Sequence, residues 1–459
     1  VFPAQRSEQE TVPVSRDKYL IHGGTVVTVD PVIGILHPGQ VLVDEGTIVA
    51  VGSEVDETLV QGAVSVDATG MIVMPGLVDS HFHMWSSVGR NFIAEGYEYF
   101  VVKGDTGAHY RPEDYYASVL LGAVQALGAG ITTVHNWSHN VLTPEHADAE
   151  LEAHRDSMVR ARYSYGHRDS LPLDAPLDFT DIDRVRDQWF TSDATLDGLV
   201  HLGVNLRGPD IGPMDVFLRE MGEARDRGLP ASIHAEQGRV SAIDAPALEA
   251  DGHLGPDLLI CHYLPARDAD MEAMARTGTP LSYAVHSELH FGAAGDPRDA
   301  LLRFRDAGVM VSFSIDATSV APVDLFEAMR IAWNMGIPWE GTPSAGRSPL
   351  TFRQCIEMAT INGARALGID ELVGSLTPGK RADLIMIRGA DLNVAPVADV
   401  ESTIVRSVTP ENVDSVMIDG RFLKRGGDLV AHDVGRIVEL SEEAASAVRS
   451  RTGGRLARA

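Results

Sequence analysis

From Tyr19 onward the apolar positions fall in short alternating runs, YLIHGGTVVTVD, QVLVDEGTIVAVG and AVSVDATGMIVMP. A period of two places every second side chain on one face of a strand. Asp44-Glu45-Gly46 and Asp67-Ala68-Thr69-Gly70 supply turn chemistry between the runs. These strands predict a small β-sheet domain that is incomplete by itself. The apolar strand at 71–78 then leads straight into Asp79-Ser80-His81-Phe82-His83.

Beyond His83 the pattern becomes strand followed by helix. Candidate strands lie at 130–135, 160–166, 199–206, 229–234, 258–262, 280–284 and 309–316, separated by helical stretches such as PEDYYASVLLGAVQALGAG and DVFLREMGEARDRG. With the strand at 71–78 they number eight, which predicts an α/β chain built on a closed (β/α)8 TIM barrel. An open doubly wound sheet would need a glycine-rich phosphate loop after its first strand, and none is present. Two further helices, VDLFEAMRIAWNMG and TFRQCIEMATINGARALG, precede a return to β texture in GSLTPGKRADLIMIRG and VDSVMIDGRFLKRGG. The expected organisation is a small β-sandwich domain assembled from 16–75 and 370–435, a barrel over 76–369, and a helical tail over 436–459.

Composition narrows the function classes. The 459 residues carry 38 basic and 65 acidic side chains, a formal charge of −27. That balance argues against nucleic acid or an anionic membrane as partner. Cys261 and Cys355 are the only cysteines, so neither a disulfide framework nor a cysteine-rich metal site is available. The first residues are polar and lack an apolar core of signal-peptide type, and no apolar run reaches membrane-span length. The expectation is a cytoplasmic protein acting on a small molecule. A homo-oligomer is expected, as large barrel enzymes often self-associate.

Barrel enzymes carry their chemistry at the C-terminal strand ends. Here those ends hold His81 and His83, then His234, His262 and Asp316. In an extended backbone His81 and His83 share a face. Three imidazoles and a carboxylate suit one divalent transition metal, such as zinc, cobalt, iron or manganese.

The pattern closely resembles the metal-dependent amidohydrolase superfamily over almost the full length. The resemblance is carried by VDATGMIVMPGLVDSHFHM, SIHAE at 232–236, ICHYL at 260–264, MATINGARALG at 358–368 and GSLTPGKRADL at 374–384. Within it the chain looks like the mononuclear branch that holds the cytosine and adenosine-type deaminases and the triazine hydrolases. That resemblance implies His81, His83, His234 and Asp316 as metal ligands, with zinc or cobalt favoured. It implies His262 as the group that orients the attacking water or polarises the substrate. A metal-generated hydroxide would attack, Asp316 would act as general base, and His262 would stabilise the oxyanion. Binuclear members bridge their metals with a lysine near the end of strand four. HLGVNLRGP offers Arg207 there and no lysine, which favours one metal.

Two departures shift the expected chemistry. Deaminases of this branch carry HxxE on strand five, whereas this chain reads His234-Ala235-Glu236-Gln237. Gln237 cannot exchange a proton as a glutamate does, which leaves Glu236 as the candidate acid. On strand seven the family's Ser-His-Asn is Ser282-Tyr283-Ala284. Trp85, Phe92, Trp137, Phe291 and Phe313 together suggest an apolar pocket. Tyr165, Arg168, Gln237, His286 and His290 are further candidate substrate contacts, whereas His135 and His139 read as loop or packing residues. The expectation is hydrolysis of an acyl C–N or C–S bond in a small apolar urea, carbamate, thiocarbamate or amide. The resemblance there is to the pesticide-degrading group that holds the phenylurea and molinate hydrolases. The alternative is a deaminase or dechlorinase of an N-heterocycle.

Overall fold

The computed structural model describes residues 15–93, 98–191, 196–235, 243–292 and 295–453. Among the described residues five strands come first, β1 (Tyr19–Val27), β2 (Ile35–Asp44), β3 (Thr47–Gly52), β4 (Val64–Asp67) and β5 (Met71–Pro75). Eight strands of a second sheet follow: β6 (Leu77–Phe82), β7 (Ile131–Ser138), β8 (Arg160–Gly166), β9 (Val200–Leu206), β10 (Ala231–Ala235), β11 (Leu258–His262), β12 (Leu281–Tyr283) and β13 (Val311–Phe313). Four more, β14 (Leu384–Arg388), β15 (Val413–Ile418), β16 (Arg421–Arg425) and β17 (Asp428–Leu429), return to the first sheet.

The second sheet is parallel and runs in chain order from β6 to β13. Its two edges meet just past β13, where Asp316 N donates to His81 O at 2.8 Å and His83 N donates to Asp316 O at 2.6 Å. The result is a nearly closed (β/α)8 barrel. One expectation needs correction: 71–78 is not one strand. Gly76 divides it, leaving β5 in the small sheet and β6 in the barrel. A Cβ at Gly76 would lie 2.0 Å from Thr132 Oγ1, so only glycine lets the backbone pass from one sheet to the other. The strands expected to form a β-sandwich are bonded into a single nine-stranded sheet, with β14 pairing antiparallel to β5.

Outside the barrel, apolar faces such as Val134, Tyr163, Val204, Ile233 and Ile260 are buried beneath the helices. Each such side chain contributes about 1.5–3 kcal/mol on burial. The interior is more polar than the branched aliphatic filling usual for this fold. Ser80 Oγ lies 2.8 Å from both Ser282 Oγ and Ser312 Oγ, inside the seam where the first and last strands meet. His135 spans Ser80 O and Ser164 Oγ at 2.7 and 2.8 Å. Ser232 donates to Asn205 at 2.7 Å. These mutually paired groups form a floor beneath the strand ends. The helix Val434–Arg451 packs Ala444, Ala445 and Val448 into a cluster with Trp85, Phe92 and Tyr115, so the tail supports the site from behind.

Candidate metal centre and active site

His81 and His83 reach the barrel axis because β6 ends on a carboxyl clamp. Asp79 Oδ1 accepts from His81 N at 3.2 Å and from Ile315 N at 3.1 Å, pinning the first strand to the continuation of the last. Burial pushes the Asp79 carboxyl well up from its ordinary value. His234 enters from β10, His262 closes β11, and Asp316 follows β13. Asp316 and His262 have φ of 68° and 75°, left-handed values that bend both residues out of the regular strand path.

Four donor atoms converge. His83 Nε2 and His81 Nε2 each lie 3.3 Å from His234 Nε2. Asp316 Oδ1 is 3.2 Å from His81 Nε2 and 3.3 Å from His83 Nε2. A tetrahedral ion with bonds of about 2.0–2.1 Å would separate its ligands by about 3.3–3.4 Å. The observed spacing therefore fits a divalent ion. The protonation states fit as well. Burial lowers the pKa of His81, His83 and His234, and neighbouring imidazoles lower the latter two further, keeping them neutral as ligands must be. Burial works against the Asp316 carboxylate. The hydrogen bond to His81, the nearby imidazoles and the Ser287 hydroxyl outweigh it and hold Asp316 down to about 2.

His262 stands beside this set, with one ring nitrogen within 4.8 Å of donor atoms on His81 and His234. Its Nδ1 lies 2.9 Å from Glu288 Oε1. Burial opposes charge on this imidazole too, but the Glu288 carboxylate more than compensates and its pKa is raised. Ser287 Oγ donates to Asp316 Oδ2 at 2.5 Å. Neither Ser287 nor Glu288 stood out in the sequence. Their only mark in the sequence is a Ser-Glu pair a few residues past Ser282-Tyr283-Ala284.

A cavity of about 690 Å³ opens over His83, His234 and Asp316. Tyr99, Phe100, Trp137, Leu173, Leu206 and Ile211 give it apolar walls. Lys103, Arg168, Asp169, Arg207 and Asp210 give it charged ones, so the expected apolar pocket is amphipathic. Trp137 packs on the ligands, its ring 4.2 Å from His234 and 4.8 Å from His81. His139 also lines the cavity, 4.4 Å from the His83 ring. His167 faces it with Nε2 3.1 Å from the buried Glu220, a pair the sequence reading passed over.

The other candidate contacts are engaged elsewhere. Trp85 stands one layer back and donates to His139 Nδ1 at 3.2 Å. The Tyr165 hydroxyl donates to Asp181 at 2.8 Å. His286 pairs with Glu327 at 3.3 Å, and the His290 ring stands 4.6 Å from that of Phe291. Phe291 in turn packs on Tyr99 and Phe100. Phe313 is core, and Phe92 belongs to the cluster under the C-terminal helix. Among the described residues none of these lines the cavity. Glu236 and Gln237 lie outside the described residues.

Comparisons with known proteins show relatives over almost the whole chain. The chain is 28% identical to a 5-methylthioadenosine/S-adenosylhomocysteine deaminase of Symbiobacterium thermophilum, covering 89% of this chain and 93% of that protein. It is 26% identical to a 5'-deoxyadenosine deaminase of Methanosarcina acetivorans, over 94% and 98% of the two chains. Its fold matches a zinc-bound adenosine deaminase from Xanthomonas campestris with a TM-score of 0.80 at 21% identity, over 95% and 99% of the chains. It also matches zinc-bound atrazine chlorohydrolase TrzN from Arthrobacter aurescens with a TM-score of 0.78 at 20% identity, over 93% and 100%. No described helix is long and apolar enough to cross a membrane. The model of the Amidohydrolase family matches residues 72–423, from the strand before the paired histidines to the last strands of the small sheet, and the chain belongs to that family of metal-dependent hydrolases.

Proposed function

We propose that the chain hydrolyses a small N-heterocycle at a ring carbon bearing an amino or chloro leaving group. The observation that carries this reading is the convergence of three imidazole nitrogens and Asp316 Oδ1 under the cavity. The relatives named as deaminases, matched over about nine-tenths of the chain, support the choice of substrate class. It takes the place of the acyl cleavage expected from the sequence.

One divalent ion would be held by His81, His83, His234 and Asp316. When bound it supplies Lewis-acid activation of a water molecule. Zinc is the first candidate, because the two matched structures contain it, and cobalt, iron and manganese suit the same donors. Asp316 accepts the proton of the attacking water; an amino leaving group takes that proton back and departs as ammonia, whereas chloride leaves as the anion and the proton passes to solvent. His262 donates to the negative charge that develops on the substrate. Trp137 offers a flat apolar wall for a ring, while Lys103 and Arg168 face polar substituents. Among the described residues, Arg168 and Trp137 are the sequence-named substrate contacts that line the cavity.

A second reading, cleavage of an apolar urea, carbamate, thiocarbamate or amide, is favoured by one observation. Gln237 stands where a ring-protonating glutamate is expected, and attack at an acyl carbon has no ring nitrogen to protonate. Metal-loaded protein assayed against an aminated heterocycle, a chlorinated heterocycle, a phenylurea, a thiocarbamate and an anilide separates the two. Ammonia or chloride release is the expected result. Turnover confined to the last three substrates would replace this reading with the second, and would restore Gln237 as the deciding residue.

A further inference from the structure

We propose that Glu288 is the positioning residue for His262, fixing which ring nitrogen faces the substrate. The inference rests on the proposed role of His262 as donor to the reacting substrate. The short helix Val285–Phe291 after β12 turns two neighbouring side chains inward. Ser287 holds Asp316 Oδ2, and Glu288 Oε1 lies 2.9 Å from His262 Nδ1. Glu288 is 2% exposed and His262 fully buried, so bulk water does not compete for that contact. Glu288 is absent from the cavity wall, so it acts through His262 and not on the substrate.

The need for such a restraint follows from the backbone and the neighbours. The positive φ of His262 takes its ring away from the orientation a strand would impose. One of its nitrogens is also close enough to the donors of His81 and His234 to form an alternative three-histidine metal site. An imidazole that could rotate or exchange tautomers there would be either a further ligand or a misdirected donor. A carboxylate can only accept, so Glu288 holds the proton on Nδ1 and turns Nε2 to the site, where Nε2 donates once the ring carries its second proton. The same division of labour orients metal-bound histidines through their second nitrogen. Here it serves the histidine that stands beside the proposed ligands.

The test uses the metal-loaded full chain labelled with 15N-histidine. A downfield ring N–H resonance, assigned by its loss in His262→Asn, reports the Nδ1–H bond directly. Glu288→Leu is expected to abolish that resonance and to lower kcat about 10–100-fold, with KM little changed and the metal content per chain retained. Glu288→Gln, whose amide oxygen still accepts, is expected to keep the resonance and most of kcat. Glu288→Asp, which shortens the reach, serves if the leucine variant does not fold, and is expected to lose both. An unchanged resonance in Glu288→Leu or Glu288→Asp, or equal losses in the Gln and Leu variants, would overturn the proposal. Normal kcat in His262→Asn would overturn the role of His262 and this inference with it. A large loss in His262→Asn beside a normal Glu288→Leu would overturn this inference alone.

Discussion

Two clusters of buried charge and polarity lie at opposite ends of the barrel, and they are built on opposite plans. At the N-terminal end, Arg16, Arg160, Arg381 and Arg421 face Asp197, Asp383 and Asp419. Arg160 forms a bidentate pair with Asp383 at 2.8 and 3.0 Å, and Asp383 also accepts from Asp419 N at 2.9 Å. These guanidiniums and carboxylates pair with one another and fasten the small sheet to the barrel. At the C-terminal end, His234 Nε2 lies 3.3 Å from Nε2 of both His81 and His83, and Asp316 Oδ1 lies 3.2 and 3.3 Å from those same two nitrogens. Neutral imidazoles whose lone pairs point at a common centre repel unless a cation stands between them. The structural cluster pairs opposite charges directly, whereas the functional one gathers donors that need a cation between them.

The contrast can be broken most sharply at Asp316. Asp316→Asn is expected to lower kcat/KM by about 10²–10⁴-fold and to weaken metal retention, while the thermal midpoint of the metal-free protein changes little. A steady-state assay paired with metal analysis and calorimetry checks all three. The opposite profile is expected at the base. Asp383→Asn leaves the Arg160 guanidinium buried beside an amide and should cost about 3–5 kcal/mol in chemical denaturation, with metal content per folded chain unchanged.

A pH titration sharpens the comparison further. Burial pushes His139 and His154 down to about 3, with Lys103 adding to the shift of His139, and pushes His201 and His432 down to about 4. Above their ordinary value near 6.5 both folded and unfolded chains hold these rings neutral, and they contribute nothing to the pH dependence. Below about 6.5 the unfolded chain takes up protons that the folded chain refuses, so stability falls. The loss approaches about 1.4 kcal/mol per pH unit for each such histidine, until pH drops through the folded values. Denaturation midpoints of metal-free protein should therefore decline from pH 6.5 to 5, the buried Glu150, pushed up to about 8, offsetting part of the loss. His154→Gln and His201→Gln should each flatten the decline, and an unchanged slope would contradict the burial of these rings. The smallest effect is expected at Arg16, which sits at the exposed rim of the lower network with its side chain 32% accessible. Arg16→Ala should cost no more than about 1 kcal/mol and leave activity intact.

The two ends were unequally legible in the sequence. His81, His83, His234, His262 and Asp316 could be found because each closes a strand whose apolar run is readable by itself, and the barrel topology then gathers such ends. The split at Gly76 was hidden because β5 and β6 form one continuous apolar run, and only the contact with Thr132 shows why glycine is needed. Ser287 and Glu288 were hidden for a different reason. A serine and a glutamate on a short helix carry no periodic signal, and their meaning depends on which strand end the helix folds back upon. The cavity was misjudged in the same way. Trp137 reached the wall, but Phe313 and Phe92 went to the core and Tyr165 to Asp181, while Lys103 arrived from the helix Tyr99–Gly107 and His167 and Asp169 from the loop after β8.

The central claim is that the four convergent donors form a cation site, and metal stoichiometry tests it most directly. Protein purified without chelator and analysed by inductively coupled plasma mass spectrometry should carry about one transition metal per chain. His81→Asn and His234→Asn, each still folded by circular dichroism, should carry essentially none. Native protein without metal, or variants that retain a full equivalent, would contradict the account.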